Sequence, residues 1–142
     1  MIGRKLNVVC DGEVPTYAHD GDAGLDLRAA ESVTVPAGGS ALVRTGVRVE
    51  IPSGCVGLVF PRSGLGSMGI TLRNAVGVID SGYRGEVMAA LWNTTCDEFR
   101  CEKGDRICQM VVMPYVHCQI VSVEELSDTE RGSDGHGSTG VK

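Results

Sequence analysis

Apolar and polar residues alternate along much of this chain with the period of two that is typical of β-strands. Val47, Val49 and Ile51 are separated by Arg48 and Glu50, which predicts a strand with one buried and one hydrated face. Residues 55–60 are a nearly unbroken apolar run, which suits a buried strand. Similar signals predict strands at residues 6–9, 23–30, 32–35, 41–51, 70–73, 98–100, 106–115 and 117–123.

Strands at intervals of about ten residues, with no amphipathic helix between them, are typical of an antiparallel β-sandwich or barrel. We therefore expect an all-β fold of the β-sandwich or jelly-roll-like kind. The length of 142 residues fits one domain, which we place at residues 1–123. Residues 124–142 are acidic at first and then rich in Gly, Ser and Thr, which predicts a flexible C-terminal arm or, alternatively, a plain disordered tail.

The middle of the chain has the pattern of a β-hairpin, with two apolar runs, residues 75–79 and 87–91, on either side of a Gly-containing turn. Within this turn, Asp80 offers a proton acceptor, Tyr83 a flat apolar surface and Arg84 a fixed positive charge. Together they could hold one small ligand. The alternative is that Asp80 only caps the turn with its carboxylate, as Asp commonly does.

A second candidate site follows the buried run of residues 55–60. Arg62 carries a planar fork of donors that matches phosphate oxygens, and Ser63 and the amides of a Gly-rich turn add further donors. This loop suits a polyphosphate. Residues 64–69 and 135–140 match the dinucleotide pattern G-x-G-x-x-G, but neither begins a crossover helix. Asp26, between two leucines, should point away from the face that they occupy.

Composition excludes several classes of function. The formal net charge of −5, without a cluster of four or more Lys and Arg, argues against nucleic-acid binding. The sequence has neither a signal-peptide stretch nor an apolar run long enough for a membrane span, so we expect an intracellular protein, cytoplasmic or nuclear. The six cysteines form no Cys-x-x-Cys pair, and we expect reduced, mostly buried thiols.

Five stretches of the chain resemble, in order, the five signature motifs of the trimeric dUTPase family, the deoxyuridine triphosphate nucleotidohydrolases. They are residues 23–29 (Ala-Gly-Leu-Asp-Leu-Arg-Ala), 61–66 (Pro-Arg-Ser-Gly-Leu-Gly), 74–91, 104–110 (Gly-Asp-Arg-Ile-Cys-Gln-Met) and 131–140 (Arg-Gly-Ser-Asp-Gly-His-Gly-Ser-Thr-Gly). Five motifs in order are a far more specific signal than any one of them.

The resemblance implies the β-clip fold of these enzymes and hydrolysis of dUTP to dUMP and pyrophosphate, which limits uracil in DNA and supplies dUMP for dTMP synthesis. Asp80 would activate the attacking water, and Asp26 would hold Mg²⁺ through water. A homotrimer with active sites shared between subunits is also implied, with the arm closing over the site. The substrate-binding residues carried over from the family are Arg62, Ser63, Gly64, Asn74, Gly77, Val78, Ile79, Tyr83, Met88, Gln109, Arg131, His136, Gly137, Ser138 and Thr139.

The last motif departs from the family at two positions. His136 stands where an aromatic, commonly Phe, stacks over the uracil, and Asp134 stands where Gly is usual. Three alternatives stay open. A deaminase of the dCTP deaminase kind would need a glutamate where Arg84 stands. A dUTPase-like nucleotide sensor or partner-binding protein, and a structural β-sandwich without a ligand, are the other two.

Overall fold

The computed structural model describes residues 3–135, which form ten strands and one short helix. The strands are β1 (Asn7–Cys10), β2 (Leu25–Arg28), β3 (Val33–Val35), β4 (Ser40–Glu50), β5 (Cys55–Phe60), β6 (Ile70–Leu72), β7 (Gly77–Ile79), β8 (Glu86–Asn93), β9 (Phe99–Cys101) and β10 (Arg106–Pro114), and the helix α1 is Ser63–Ser67. Within this part of the chain the helix is too short to cross a membrane.

Two four-stranded antiparallel sheets make up most of the fold. One has the strand order β1-β4-β8-β6 and the other the order β2-β10-β5-β7, while β3 and β9 form a separate pair. The prediction of an all-β antiparallel protein is confirmed. Pro114 is the last residue of β10, where its missing N–H costs no internal ladder bond.

The core is formed by alternate residues of strands in both large sheets. Along β8, Val87, Ala89 and Leu91 are buried, while the residues between them are more exposed. Leu27 on β2 and Met110 on β10 are completely buried and belong to the same apolar cluster. The alternation that predicted these strands is thus the pattern by which they pack.

The predicted central hairpin is wrong. β7 pairs with β5, and β8 pairs with β4 and β6, so the two strands belong to different sheets. Residues 80–85 therefore connect one sheet to the other. The two apolar runs both have strand character, but periodicity specifies only the face of a strand and not its partner.

The strand predicted at residues 117–123 is also wrong for this chain. Residues 115–135 contain neither strand nor helix and are exposed. Apolar side chains in this segment are largely solvent-accessible, among them Ile120 at 90% and Leu126 at 87%. The sequence has the apolar content of a strand, but within residues 3–135 no strand pairs with it.

All six cysteines are free. Cys55, Cys101 and Cys108 are buried, Cys10 is half-buried, and Cys96 and Cys118 are exposed. The prediction of reduced thiols agrees with this, whereas only half of the thiols are fully buried. Burial raises the pKa of Cys101 to about 11 and that of Cys108 to about 12, with nearby carboxylates adding to both shifts.

Candidate functional site

A pocket of about 280 Å³ lies at the open edge of the molecule, between the edge strands β6 and β7 of the two large sheets. We call it the edge pocket. Its lining is Val59, Leu72, Asn74, Gly77, Val78, Ile79, Asp80, Tyr83, Glu86 and Met88. Seven residues predicted from the third motif, from Asn74 to Met88, therefore come together in one place.

The loop before β7 is a tight and strained turn. Ala75 has φ of 58°, a left-handed conformation that is uncommon for a residue with a Cβ. The N–H of Val76 donates to the carbonyl of Asn74, 2.6 Å away, which closes a three-residue turn around Ala75. At Gly77, an added Cβ would lie 3.2 Å from the Cβ of Val59. This turn places Asn74 at the pocket.

The turn of residues 80–85 carries the exposed Asp80. Its backbone is closed by the N–H of Tyr83, which donates to the carbonyl of Asp80 at 3.0 Å. Within residues 3–135 the Asp80 carboxylate accepts no hydrogen bond and forms no ion pair. The alternative, in which this carboxylate caps the turn, is therefore not what the structure shows.

The ring of Tyr83 is held at the pocket by two contacts. Its hydroxyl donates to the carbonyl of Glu86 at 3.0 Å. Its ring lies directly against Gly85, where an added Cβ would come within 2.5 Å of the ring Cζ. A side chain at this position would therefore displace the Tyr83 ring from the pocket.

A second cluster centres on Asp26. Its side chain is only 10% exposed and pairs with Arg62 at 2.8 Å and with Arg106 at 3.4 Å. In the ladder Asp26 is paired with Gln109, which is paired with Phe60, so these three residues lie in one row on the outer face of their sheet. Asp26 does point away from the leucine face, but the side chain is buried and not exposed.

The loop after β5 folds over this row. Gln109 donates through Nε2 to the carbonyl of Pro61 at 3.0 Å, which keeps the loop beside the Asp26 cluster. Ser63 and Gly64 start α1 and are exposed, leaving their donors accessible. At Gly24 an added Cβ would come within 3.1 Å of the Gln109 side-chain carbon Cδ, so a larger residue there would displace the Gln109 amide.

The two sites occupy different surfaces of one chain. The edge pocket opens between the edge strands β6 and β7, whereas the Asp26 cluster lies on the outer face of β2 and β10. Three strand spacings separate β2 from β7, which is about 14 Å. The structure therefore brings the predicted residues together as two groups and not as one.

Of the predicted residues of the last motif, the structure describes only Arg131, which lies at neither group. Arg131 is exposed, and its Nε donates to the carbonyl of Asp134 at 3.1 Å, a contact within the tail. His136, Gly137, Ser138 and Thr139 lie outside the described residues.

Two residues of these groups were missed by sequence reasoning. Arg106 lies in the fourth motif, and its pairing with Asp26 depends on a bulge in β10 that periodicity does not reveal. Glu86 lines the edge pocket, but its carboxylate is turned away: it accepts from the amide of Gly46 at 2.6 Å and from Nε of Arg44 at 3.1 Å. This contact raises the pKa of Arg44.

A larger cavity of about 580 Å³ lies beside β4 and the loop of residues 11–15. Arg44 pairs with Asp11 at 3.2 Å, and Arg28 with Glu13 at 3.7 Å, so the charges along this cavity largely neutralise one another. The cavity was not predicted and offers no excess charge to a ligand.

The described residues contain no group of three or more His, Cys, Asp or Glu that could enclose a metal ion. Asp26 is thus a single carboxylate. Magnesium commonly uses one or two carboxylates, several waters and substrate phosphates, so the single buried carboxylate of Asp26 fits this ion only together with a phosphate ligand.

The structure is that of an all-β protein with a pocket at the edge of its two large sheets. The family model for dUTPase matches residues 11–140, and the chain belongs to the dUTPase family. A deoxyuridine 5'-triphosphate nucleotidohydrolase from Alkaliphilus metalliredigens is 46% identical over 131 residues, covering 92% of this chain and 91% of the relative. One from Clostridium acetobutylicum is 44% identical over 144 residues, covering 100% and 99%.

Solved structures of phage dUTPases share the fold. The Staphylococcus bacteriophage 80alpha dUTPase with dUpNHpp has a TM-score of 0.90 at 31% identity, covering 98% of this chain and 100% of the phage chain. A mutant dUTPase from phage phi11 of S. aureus, whose structure describes the coordination of a structural Mg(II) ion, has a TM-score of 0.80 at 26% identity, covering 86% and 98%.

Proposed function

We propose that this protein hydrolyses dUTP to dUMP and pyrophosphate. Family membership and the names of its relatives support this reaction. The observation that carries the proposal is the exposed, unpaired carboxylate of Asp80 in the edge pocket, beside Asn74 and Tyr83. In the cell this reaction would limit uracil in DNA and supply dUMP for dTMP synthesis.

Asp80 is the general base of the proposed reaction. A carboxylate without a competing partner can accept a proton from the water that attacks the α-phosphorus, and such assistance is typically worth about 10²–10⁴-fold in rate. Its place in a turn whose backbone is closed by Tyr83 limits the directions in which the carboxylate can point. The remaining rate enhancement comes from positioning and charge neutralisation.

The edge pocket holds the nucleoside. Asn74 and the backbone of Gly77–Ile79 offer donors and acceptors to the uracil edge, and Met88 adds apolar lining. The ring of Tyr83, fixed by its hydrogen bond to Glu86, packs on the sugar and leaves no room for a ribose 2'-hydroxyl. The pocket thereby distinguishes dUTP from UTP.

The Asp26 cluster and the loop after β5 bind the phosphates. Arg62, Ser63, Gly64 and Gln109 supply donors, and Asp26 is the residue that would hold Mg²⁺, through water. When bound, Mg²⁺ neutralises charge on the phosphate oxygens. Arg62 balances the Asp26 carboxylate in the free chain and is placed to turn toward phosphate when the nucleotide arrives.

We further propose a homotrimer in which one copy supplies the edge pocket and another the phosphate cluster. The separation of the two groups within one chain supports this arrangement. So do the exposed apolar residues on the outer face of the sheet that carries Asp26, with Val78 62% and Met113 44% exposed. The arm, with Arg131, His136, Gly137, Ser138 and Thr139, closes over the bound nucleotide.

The proposal is tested by measuring pyrophosphate release from dUTP, dCTP, dTTP and UTP with magnesium. We expect release from dUTP alone, and loss of at least about 10²-fold in kcat for Asp80→Asn because the general base is removed. Asp97→Asn is the matched control, since Asp97 is exposed in the turn between β8 and β9. A wild-type protein that leaves all four nucleotides intact would overturn the proposal.

The proposed assembly is tested separately by light scattering after gel filtration. We expect a mass three times that of the 14.9 kDa chain. A monomer that is fully active at nanomolar concentration would contradict shared active sites.

A further inference from the structure

Glu86 is an acidic residue in a pocket proposed for a nucleotide, yet its charge is not presented to that pocket. Its side chain is 17% exposed, and both carboxylate oxygens are used: Oε1 accepts from the amide of Gly46 and Oε2 from Nε of Arg44. The carboxylate therefore neither repels a ligand nor is free to act as a base. Its contacts point instead to an anchoring role.

The anchor point is an irregularity in β4. The pairing of β4 with β8 shifts register between Arg44 and Arg48, and Gly46 within this bulge has φ of 69°. At the bulge, the Glu86 carboxylate accepts a hydrogen bond from the amide of Gly46. The hydroxyl of Thr45 donates to the carbonyl of Val87 at 2.5 Å. Side chains thus replace ladder bonds where β8 begins.

The backbone of the same residue holds the ring of Tyr83. The carbonyl of Glu86 accepts the Tyr83 hydroxyl at 3.0 Å, so the position of that carbonyl sets the position of the ring. Because the Glu86 side chain fixes this part of the backbone to the β4 bulge, movement at the bulge is transmitted to the ring that packs against the sugar.

We infer that Glu86 is a positioning residue that acts through Tyr83 to set the preference for deoxyribose over ribose. This inference rests on the proposed function and extends it. If Glu86 only held β4 to β8, its replacement would change the stability of the protein alone. If Glu86 positions Tyr83, its replacement also changes the ratio of kcat/KM for dUTP to kcat/KM for UTP.

The test compares this ratio in Glu86→Ala, Tyr83→Leu and the double variant. We expect Glu86→Ala to lower the ratio about tenfold, mainly through a higher KM for dUTP, the size expected when a binding group is displaced by a fraction of an ångström. In the Tyr83→Leu background, Glu86→Ala should change the ratio by less than about twofold, because the effects of substitutions at coupled residues do not add. Glu102→Gln, an exposed carboxylate in the loop after β9, is the control.

Each outcome separates the two proposals. If the wild type hydrolyses dUTP but Glu86→Ala keeps its ratio, or if the effects of Glu86→Ala and Tyr83→Leu simply add, the inference on Glu86 is wrong and the proposed function stands. If the wild type hydrolyses nothing, the proposed function fails first. Should Glu86→Ala not fold, Glu86→Met carries the test. Met keeps the length of the side chain but loses the acceptors for both Gly46 and Arg44, and an unchanged ratio overturns the inference.

Discussion

The close contact between Gly85 and Tyr83 makes Gly85→Ala the most direct test of the proposal that the Tyr83 ring packs on the sugar. A Cβ at Gly85 would lie 2.5 Å from Cζ and 2.8 Å from Cε2 of Tyr83. Ordinary carbon contacts are about 3.5–4.0 Å, so the ring has to withdraw by about 1 Å. The hydroxyl then leaves the carbonyl of Glu86, which it reaches at 3.0 Å in the native chain.

The expected cost differs between folding and catalysis. Tyr83 is 43% exposed, so its ring can move into solvent, and stability should fall by no more than the net worth of one hydrogen bond, about 0.5–1.5 kcal/mol. A displacement of about 1 Å in a substrate-positioning group can cost up to about 10²-fold. We therefore expect kcat/KM for dUTP to fall about 10- to 100-fold, with UTP much less affected.

The assay is pyrophosphate release from dUTP and UTP, run beside thermal unfolding of the same samples. Gly82→Ala is the matched control, because it lies in the same turn and an added Cβ there has nothing within 4 Å. Equal kcat/KM for Gly85→Ala and Gly82→Ala would refute the reasoning. So would a loss of activity that is fully explained by unfolding.

Three further predictions address the metal, the thiols and the arm. Asp26→Asn should raise the magnesium concentration for half-maximal dUTP hydrolysis by at least about tenfold, because it removes the single carboxylate proposed to hold the ion. An unchanged magnesium titration would contradict this role of Asp26. A thiol reacts as its thiolate, and burial raises the pKa of Cys108 to about 12. Ellman's reagent should therefore modify the exposed Cys96 quickly but leave Cys108 unmodified as the pH rises from about 7 to 9. Rapid reaction in a Cys96→Ser variant, traced to Cys108 by mass spectrometry, would oppose this. His136→Phe should lower the KM for dUTP and flatten the pH dependence of KM between about pH 5.5 and 8, since imidazole titrates in that range and phenyl does not. Identical pH profiles of KM for the two proteins would contradict this prediction.

Alternation predicted which residues are strands and which faces they bury, but not which strands pair. Val87, Ala89 and Leu91 follow the predicted pattern and are buried. The incorrect hairpin prediction paired β7 with β8 because strands adjacent in sequence often pair. In the structure β7 pairs with β5 instead. Likewise, residues 117–123 have strand composition, but a strand also needs a neighbour, and the described part of the chain pairs none with them.

The edge pocket was predictable because most of its lining is contiguous in sequence. Asn74 through Met88 come from a single motif, and the turn between β7 and β8 keeps them together. Arg106 and Glu86 were not predictable, because their contacts depend on bulges in β10 and β4 that shift register by one or more residues. Composition and spacing contain no direct signal for a bulge of this kind.

The separation of β7 and β8 into different sheets changes what holds Asp80 in place. In a hairpin, ladder bonds on both sides of the turn would fix the carboxylate. Here residues 80–85 cross from one sheet to the other without such a ladder. Their geometry depends on the Tyr83 hydroxyl, the close approach at Gly85, the donation of Arg84 to the carbonyl of Ser81 and the attachment of Glu86 to the β4 bulge. The precision of the proposed general base is therefore set by side-chain contacts outside the reacting groups, which makes Glu86 and Gly85 more sensitive positions than their distance from the chemistry implies.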